Sequence, residues 1–434
     1  MPEGSILINT ESIKIQDIII QPNNTEYTRD VWKTPDGKII RAPWPEHIQG
    51  QFGYCLKAYI IYLYFELHVT QPAILRYLTE MSIQISSGEI HNILVENKDI
   101  FHKEKEGILK AGLQISRSIT TDDTGLRHRG VNGYCTHIGN NFFTYFKSTY
   151  SKSRINFLEI LLADDIRYNI TGYSIDYYKN QKLSEKSLRL LIDSKGQVFK
   201  NKTDWLAYLR LLGIRDKHGI RKATEGALLG TLIKNIKPGL AIVSDDAGQF
   251  DILRHALCWV HSERCITSLH TVSYDQEQLI KGILDEFWKF FRKLHEYKRN
   301  PDDQKRKEIN EEFDTLFSKK TEMTSLNKAL KSLLNKKNEL LLVLDQPEMP
   351  LSNNISERDI RDQATKRKIS AGTRSDSGRK ARDTFMSLKK TCRKLEISFY
   401  KYLCDRISNV NQIQDLSILM KKKARLLYKA LPDY

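Results

Sequence analysis

Three acidic sites along the chain have the residue types best suited to metal-dependent chemistry. The first is the doublet Asp122-Asp123 at the end of a β-prone run, the second is the doublet Asp245-Asp246 after an apolar run, and the third is Glu357. Carboxylate oxygens are the ligands that Mg²⁺ prefers. A pair of such ions can activate an oxygen nucleophile and stabilise the leaving oxygen of a phosphodiester. We therefore predict that Asp122, Asp245 and Glu357 converge to bind divalent metal.

Each acidic residue also has a purely structural explanation. An aspartate at a strand end commonly belongs to a turn. Asn354 and Glu357 have the spacing of a capping box, in which Glu357 at N3 bonds a backbone N–H group. Each aspartate doublet leaves open which of its two carboxylates is functional. The residue pattern alone supports no more than a metal-dependent, nuclease-like enzyme.

Positive charge is concentrated next to Glu357. The chain has a formal net charge of +16, and between Arg361 and Lys394 there are 12 Lys and Arg against three Asp. One explanation is a well-solvated surface, and the other is a polyanionic partner such as nucleic acid. The concentration in one stretch favours phosphate contacts.

Cysteine and histidine pairs offer further candidate ligands. Cys258 and His261 lie three residues apart and Cys265 follows, but a structural zinc site needs four ligands. Cys135 and His137 would share one face of a strand. For both pairs we expect a role in core packing. The sequence has no phosphate-binding loop ending in Lys-Ser/Thr and no nucleophile elbow, so ATP use and serine hydrolysis are not supported.

No segment has the pattern of a membrane anchor. The most apolar stretch, from Ala58 to Val69, is too short to span a bilayer and contains Glu66. The N-terminus lacks the basic and apolar regions of a signal peptide. The six cysteines are scattered without a CxxC pair, which fits a reducing compartment. We expect a cytoplasmic protein, associated with the nucleoid if it binds DNA.

A helical region precedes the first acidic doublet. Apolar residues recur at helical spacing from Gln51, Pro72 suits a first turn, and Ser86 with Glu89 has the capping-box spacing. Short helices joined by turns have the outline of a helix-turn-helix, and an ordinary three-helix packing unit fits equally well. His91, Asn92 and Asn97 are its candidate base readers.

The remaining pattern alternates strands and helices. We predict strands over Leu113–Thr121, Tyr134–Ile138, Phe142–Lys147, Leu240–Ser244 and Ala256–Val260. We predict helices after Ser151, near Glu185–Ile192 and Thr203–Leu212, from an N-cap at Thr224 to Ile236, over Glu263, throughout Tyr274–Leu344, at Glu357 and near Phe385–Leu395. This order indicates an α/β fold with a mixed sheet and long insertions.

Four sequence blocks, in a fixed order, resemble the DDE transposases of the insertion-sequence sixty-six family. Asp122-Asp123-Thr124-Gly125 is similar to the family's Asp-Glu-Thr-Gly, with the catalytic carboxylate at the first position. Val243-Ser244-Asp245 resembles the second block, and Cys258-Trp259-Val260-His261 resembles a Cys-Trp-x-His block. The stretch from Pro350 to Arg358 resembles Pro-Leu-x-Asn-Asn-x-x-Glu-Arg. The resemblance extends from about Gly50 to the C-terminus.

The resemblance implies an RNase H-like core that cleaves DNA at the ends of a mobile element and joins the 3′-hydroxyl to target DNA. It implies two Mg²⁺ or Mn²⁺ ions held by Asp122, Asp245 and Glu357. Further implied roles are DNA contacts at Arg358, Arg361, Lys366, Arg367, Lys368 and Arg374, and structural support from Cys258, His261 and Asn354. The expected partners are double-stranded DNA, further copies of the chain, and accessory proteins encoded by the element.

On this interpretation the chain divides into six regions. They are 1–50, short and β-rich or extended; 51–105, helix-turn-helix-like; 106–270, the first part of the core with an insertion at about 168–220; 271–346, a helical insertion; 347–410, the Glu357 helix and the rest of the core; and 411–434, a basic tail. Two alternatives remain open, a structure-selective nuclease or resolvase on the same core and a decayed, non-catalytic DNA-binding relative.

Overall fold

The computed structural model describes residues 2–45 and 50–429. Residues 1 and 46–49 of the N-terminal region that we predict, and residues 430–434 of the basic tail, lie outside the described residues. The strands are β1 (Val31–Lys33), β2 (Ile39–Arg41), β3 (Ser118–His128), β4 (Val131–Gly139), β5 (Thr144–Thr149), β6 (Tyr168–Asn169), β7 (Val198–Phe199), β8 (Ala241–Ser244) and β9 (Arg254–Leu257).

The helices before β8 include the three that the sequence predicts ahead of the first doublet. They are α1 (Tyr54–Phe65), α2 (Gln71–Glu80), α3 (Ser87–Val95), α4 (Asp99–Ile115), α5 (Arg154–Leu162), α6 (Gly172–Asn180), α7 (Glu185–Asp193), α8 (Lys202–Leu211) and α9 (Lys217–Leu232). Ser86 caps α3 by accepting a hydrogen bond from the Glu89 amide at 3.1 Å.

The helices after β9 begin with α10 (Trp259–Thr267). They continue with α11 (Tyr274–Arg299), α12 (Asp303–Phe317), α13 (Thr324–Leu334), α14 (Lys337–Leu340), a 3₁₀ turn over Leu342–Leu344, α15 (Asn354–Ser370), α16 (Asp376–Lys394), α17 (Phe399–Ile407) and α18 (Leu416–Lys429). The expected all-helical segment between the second and third acidic sites is therefore confirmed.

A five-stranded mixed sheet lies at the centre of the fold, in the order β5-β4-β3-β8-β9. Strands β3, β4 and β5 form an antiparallel meander. Strands β8 and β9 continue the sheet parallel to β3. All four residues of β8 are buried, as is usual for a parallel strand covered on both faces. The mixed α/β class predicted from the sequence is confirmed.

Two hydrophobic clusters hold the molecule together. The larger one joins α1–α4, most of the sheet, the α5–α9 region and the C-terminal helices. The smaller one packs β8, β9 and the α10–α14 helices around the buried Trp259. The Trp259 ring lies 5.3 Å from that of Phe287 between centroids, and its indole N–H donates to the Leu340 carbonyl at 3.0 Å. The helical segment is thereby fixed to the sheet edge beside Asp245.

Several predicted boundaries were wrong, and three of them illustrate the differences. Helix α4 runs through the predicted start of the first strand to Ile115, because Leu113 completes its buried apolar face. Thr224 is no N-cap: Asp216 caps α9, while the Thr224 hydroxyl is buried and bonds Ile220 and Trp205. The strand predicted to reach Val260 ends at Leu257, and α10 begins at Trp259.

The predicted insertion contains more structure than its sequence suggests. In addition to α7 and α8, it holds α6 and a two-stranded sheet of β6 and β7. Helix α1 packs against α17 and α16, so the N-terminal helices share one core with the C-terminal ones. No helix within the described parts of the chain is long and apolar enough to cross a bilayer.

Candidate active site

Strand pairing brings the first two acidic sites together. In the parallel pair β3–β8, Ser118 lies opposite Ala241 and Thr120 opposite Val243. Continued by two residues, this register would set Asp122 beside Asp245, and the charge of Asp245 acts on the Asp122 carboxyl group. Neighbouring strands lie about 4.8 Å apart. Asp245 is the first residue after β8, so both aspartates lie where the short strand β8 ends beside the longer β3.

Helix α15 brings Glu357 to the same place. Asn353, just before the helix, donates its side-chain amide to the carbonyl of Thr121 at 2.9 Å. In the first turn, the Ser356 hydroxyl bonds that of Thr120 at 2.8 Å. These two contacts fix the start of α15 against the residues that immediately precede Asp122.

The capping-box explanation for Glu357 is wrong. The N-cap residue of α15 is Asn353 and makes no side-chain capping bond, while Asn354 is already helical and exposed. The side chain of Glu357 approaches α10 instead. Its Oε1 lies 3.5 Å from His261 Nε2 and 3.8 Å from Arg264 Nη2. Its carboxylate is therefore held between a strand end and two basic side chains.

The side chain of Asp122 lies within the electrostatic influence of the other two carboxylates. The pKa of Asp122 is raised to about 6, mainly by burial, and the charges of Asp245 and Glu357 contribute in the same direction. The backbone N–H of Asp123 donates to Asp122 Oδ1 at 2.7 Å and acts in the opposite direction. A carboxyl group whose pKa is raised by burial and by like charges is typical of functional sites. Structural ion-pair networks also shift pKa values.

The two members of each aspartate doublet have different bonding partners in the structure. Asp123 accepts hydrogen bonds from the Thr136 hydroxyl at 2.5 Å and the Gln249 amide at 3.0 Å. Asp246 forms an ion pair with Lys336. Within the described residues, the carboxylates of Asp122 and Asp245 accept hydrogen bonds from backbone N–H groups only. Asp122 and Asp245 are therefore the members of the doublets whose carboxylate oxygens remain available to bind a metal ion.

The donor set at this place fits a hard divalent cation. It consists of three carboxylates, and Glu357 Oε1 is buried without a hydrogen-bond partner, as are Asn353 Oδ1 and His261 Nδ1 nearby. Among the described residues, no three Asp, Glu, His or Cys side chains are already gathered closely enough to hold a metal ion. Mutual repulsion of the carboxylates and the attraction of Glu357 to His261 and Arg264 are physical reasons for this spacing.

A buried polar network anchors the helix that carries Glu357. Asp359 accepts hydrogen bonds from Thr144 at 2.6 Å and from Lys394 at 2.6 Å, and contacts His137 Nε2 at 3.1 Å. Burial alone would raise the pKa of Asp359, but His137 and Lys394 outweigh it and hold that pKa well below its usual range. Helix α15 is thus tied to β4, β5 and α16 through one carboxylate.

Comparison with known proteins identifies the family of this chain. The model of the transposase IS66 family matches residues 233–381, a range that includes Asp245 and Glu357. An uncharacterized protein of Sinorhizobium fredii, y4jO, is 38% identical over 321 residues, which is 73% of this chain and 100% of that protein. This chain belongs to the IS66 transposase family.

In this IS66 family member, the residues proposed for structural support need two corrections. Cys258 is buried, and its Sγ accepts a hydrogen bond from the backbone N–H of Asn353 at 3.2 Å. This bond joins the Cys-Trp-x-His block to the block that contains Glu357. His261 lies beside Glu357, not in the core. The exposed Asn354 makes no supporting side-chain contact within the described residues, and Asn353 occupies that position. The Asn-Asn doublet was the available signal, but it does not distinguish its two members.

The basic run of this IS66 family member is only partly a surface feature. Arg358, Arg361, Lys368 and Arg374 are exposed and Arg367 is half-buried. Lys366 is fully buried, donates to the Tyr64 carbonyl at 2.5 Å and lies 3.3 Å from the Tyr64 ring centroid. The prediction that Lys366 contacts DNA is therefore wrong for this structure, because its ammonium group faces α1.

Other cations of the basic run serve the fold. Lys389 donates to Asp362 and to the Phe65 carbonyl, with contacts of 2.8 and 2.7 Å. Lys394 pairs with Asp359, as described above. Part of the charge that suggested a DNA-binding surface therefore neutralises the buried Asp359 and the half-buried Asp362 of α15. The sequence could not reveal this, because the partners of each cation are distant in the chain.

Proposed function

We propose that this chain is a DDE transposase that cleaves double-stranded DNA at the ends of a mobile element and transfers the ends to target DNA. The observation that carries the proposal is the β3–β8 register, which sets Asp122 beside Asp245 while α15 brings Glu357 within electrostatic influence of Asp122. Membership of the IS66 transposase family supports DNA as the substrate.

The proposed reaction has two balanced steps. In the first, a water oxygen bonds to phosphorus as the bond from phosphorus to the 3′ oxygen breaks. The water loses its proton, and the products are a 3′-hydroxyl and a 5′-phosphate. In the second, that 3′ oxygen bonds to a phosphorus of the target strand and displaces the target's own 3′ oxygen. The number of phosphodiester bonds is unchanged in the second step.

In the proposed site, Asp122, Asp245 and Glu357 hold Mg²⁺ or Mn²⁺, with two ions expected. When bound, such ions activate the attacking oxygen and stabilise charge on the leaving oxygen. The protein's own part is to hold the three carboxylates in place. Asn353 and Asp359 orient α15, and His261 and Arg264 hold the Glu357 carboxylate until it turns towards the aspartates.

The sheet supports the finer description of the fold as RNase H-like. Its antiparallel meander followed by two parallel strands agrees with the core that the family resemblance implies. We extend the proposal to the regions assigned from the sequence, with α10–α14 as an insertion between the second and third acids. The exposed Arg358, Arg361, Lys368 and Arg374 would then contact DNA phosphates, and α1–α3 would serve as a helix-turn-helix-like unit.

A cleavage and joining assay tests the proposal. The substrate is duplex DNA from the inverted repeats that flank the coding region, incubated with Mg²⁺ and a target plasmid. Asp122→Asn, Asp245→Asn and Glu357→Gln should each reduce cleavage by at least about 100-fold, a loss in the range of a principal electrostatic contribution to catalysis. Asp246→Asn is the matched control and should retain activity, since its carboxylate is bound to Lys336 outside the site.

Joined product formed from pre-cleaved 3′-hydroxyl ends separates a transposase from a nuclease or resolvase. Metal-dependent cleavage that persists in all three variants would contradict the assigned site. Salt-sensitive DNA binding without cleavage by the wild-type protein would indicate the non-catalytic alternative.

A further inference from the structure

A small positively charged cavity lies beside the carboxylates, between β3 and α15. It has a volume of about 20 Å³, enough for one water-sized group. Three arginines line it, Arg127, Arg367 and Arg382, and no acidic residue does. Gly125 forms part of its wall: a Cβ atom there would lie 3.5 Å from Arg367 Nη1. The guanidinium group of Arg367 therefore lies against bare backbone.

Arg382 is a buried cation without an anion. Arg382 is only 8% exposed, and its guanidinium group donates to the Ala371 carbonyl at 3.0 Å. Within the described residues, neither Arg382 nor Arg367 has an ion pair, whereas the similarly buried Arg406 is paired with Glu104 and Asp405. An unpaired buried charge is costly. The protein therefore holds positive charge at this place that an anion from outside would neutralise.

A neighbouring lysine responds to the same excess of positive charge. Burial is the main cause that lowers the pKa of Lys366 to about 6, and the positive charge of Arg382 lowers it further. Lys366 lies on α15 one residue before Arg367, with its ammonium group directed towards Tyr64. The positive charge of Arg382 thus acts on Lys366 in the same direction as burial does.

The cavity lies close to the candidate active site. Thr124 lines it and lies two residues after Asp122, so the two side chains share one face of β3. The separation along the strand is about 7 Å. Each DNA strand carries one phosphate per ~3.4 Å of helix axis. A phosphate within a few nucleotides of the cleaved bond would therefore lie within reach of the cavity.

We propose that this cavity is a phosphate subsite that takes one non-bridging oxygen of a DNA backbone phosphate near the one that is cleaved. Arg367 and Arg382 donate to its non-bridging oxygens, because planar guanidinium groups match phosphate geometry. Gly125 keeps the approach free of a side chain. The inference rests on the proposed function for its substrate. It places the DNA backbone across β3, between Asp122 and the cavity.

The first test measures equilibrium binding of the full chain to a 20-base-pair duplex in EDTA, across a series of salt concentrations. Each phosphate contact contributes about 0.9 to the slope of log affinity against log salt. Arg367→Gln should lower the slope by about 0.9 and weaken binding by roughly eightfold at 0.1 M salt. Lys380→Gln removes one exposed charge from α16 outside the cavity and should change binding less than twofold.

The second test locates the phosphate. Single methylphosphonate substitutions, each removing the charge of one phosphate, are placed along an element-end duplex. Wild-type protein should lose affinity at one or two positions near the cleavage point, and Arg367→Gln should lose nothing further there. Arg382→Lys keeps the charge without the planar fork and should lie between wild type and Arg382→Gln, with cooperative thermal unfolding as the check on folding.

The outcomes separate this inference from the proposed function. A salt slope in Arg367→Gln equal to that of Lys380→Gln, or an additive methylphosphonate effect, would overturn the phosphate subsite even if the DNA is cleaved. A reduced slope in a protein that cleaves no DNA would retain the subsite and contradict the transposase proposal.

Discussion

The side-chain amide of Asn353 donates a 2.9 Å hydrogen bond to the carbonyl of Thr121, the residue before Asp122. One bond thereby joins the strand of the first acidic site to the helix of the third across 232 residues of sequence. Asn353 is fully buried, and its backbone amide is in turn bonded to Cys258. The relative position of Asp122 and Glu357 depends on this contact.

Replacing Asn353 should therefore affect both stability and activity. Asn353→Ala leaves the buried Thr121 carbonyl with one partner fewer and should lower the free energy of unfolding by about 1–3 kcal/mol. DNA cleavage should fall more than binding, because the position of Glu357 changes. Chemical denaturation and the cleavage assay measure the two effects. Asn354→Ala at the exposed neighbouring position is the control, and equal losses in both variants would refute the assignment.

Asp359 should be essential to the fold at neutral pH. Asp359→Asn removes the partner of the buried Lys394 and should lower the free energy of unfolding by about 3–5 kcal/mol. Asp314→Asn, which removes a surface ion pair with Lys337, should cost less than about 1 kcal/mol. Denaturant titrations at pH 7 compare the two. A similar small loss in both would show that the Asp359 network is unimportant for stability.

The contribution of Asp359 should also depend on pH in a defined direction. Its folded-state pKa lies well below its usual range, so the unfolded chain binds the proton first as the pH falls. The stabilisation is complete above about pH 5 and is lost as the pH falls through about 4 and lower. The stability difference between wild type and Asp359→Asn should therefore shrink between pH 5 and pH 3.

Lys366 should also make stability rise with pH, but in a higher pH range than Asp359, and should have no effect on DNA binding. Its folded-state pKa is lowered to about 6, so between pH 6 and about 10.5 the unfolded chain binds more protons. Wild-type stability should accordingly rise relative to Lys366→Met, by about 2.6 kcal/mol from pH 7 to pH 9. DNA affinity should stay within twofold of wild type at both pH values. A tenfold loss of affinity in a folded Lys366→Met protein would restore Lys366 as a DNA contact.

Arg264 should compete with metal for Glu357. Its Nη2 lies 3.8 Å from Glu357 Oε1 at a partly exposed position, where such pairs contribute about 0.2–1 kcal/mol. Arg264→Gln should therefore lower the Mg²⁺ concentration for half-maximal cleavage by about 1.5- to 5-fold. Lys281→Gln, at an exposed position of α11, controls for the general loss of positive charge. An unchanged Mg²⁺ requirement would indicate that Arg264 does not restrain Glu357.

Much of the local structure could be predicted because its signals are local. The cap at Ser86, the apolar stripe of α11 and the buried run of β8 depend on residues within a few positions of one another. The predicted boundaries of helices and strands were wrong where contacts with residues distant in the sequence decide between two local structures. Leu113 suits a strand as well as a helix, and only its burial as part of α4 extends the helix to Ile115.

Burial of charge was the main feature that the sequence could not show. Lys366 and Arg367 are adjacent and chemically similar, yet one packs against Tyr64 and the other borders a cavity beside β3. The same holds for Asn353 and Asn354, of which only the first is buried. In each case the helix face that meets the sheet determines the environment, and that face depends on contacts hundreds of residues apart.

The amino-acid sequence by itself determined the order of the acidic blocks, the family and the class of fold, because residue identities and short spacings carry that information. Only the tertiary structure decided that Asp122 and Asp245 keep free carboxylate oxygens while Asp123 and Asp246 are paired. The physical reason is that successive side chains of an extended chain point in opposite directions. Strand register and helix packing then determine which side chain of each doublet faces Glu357.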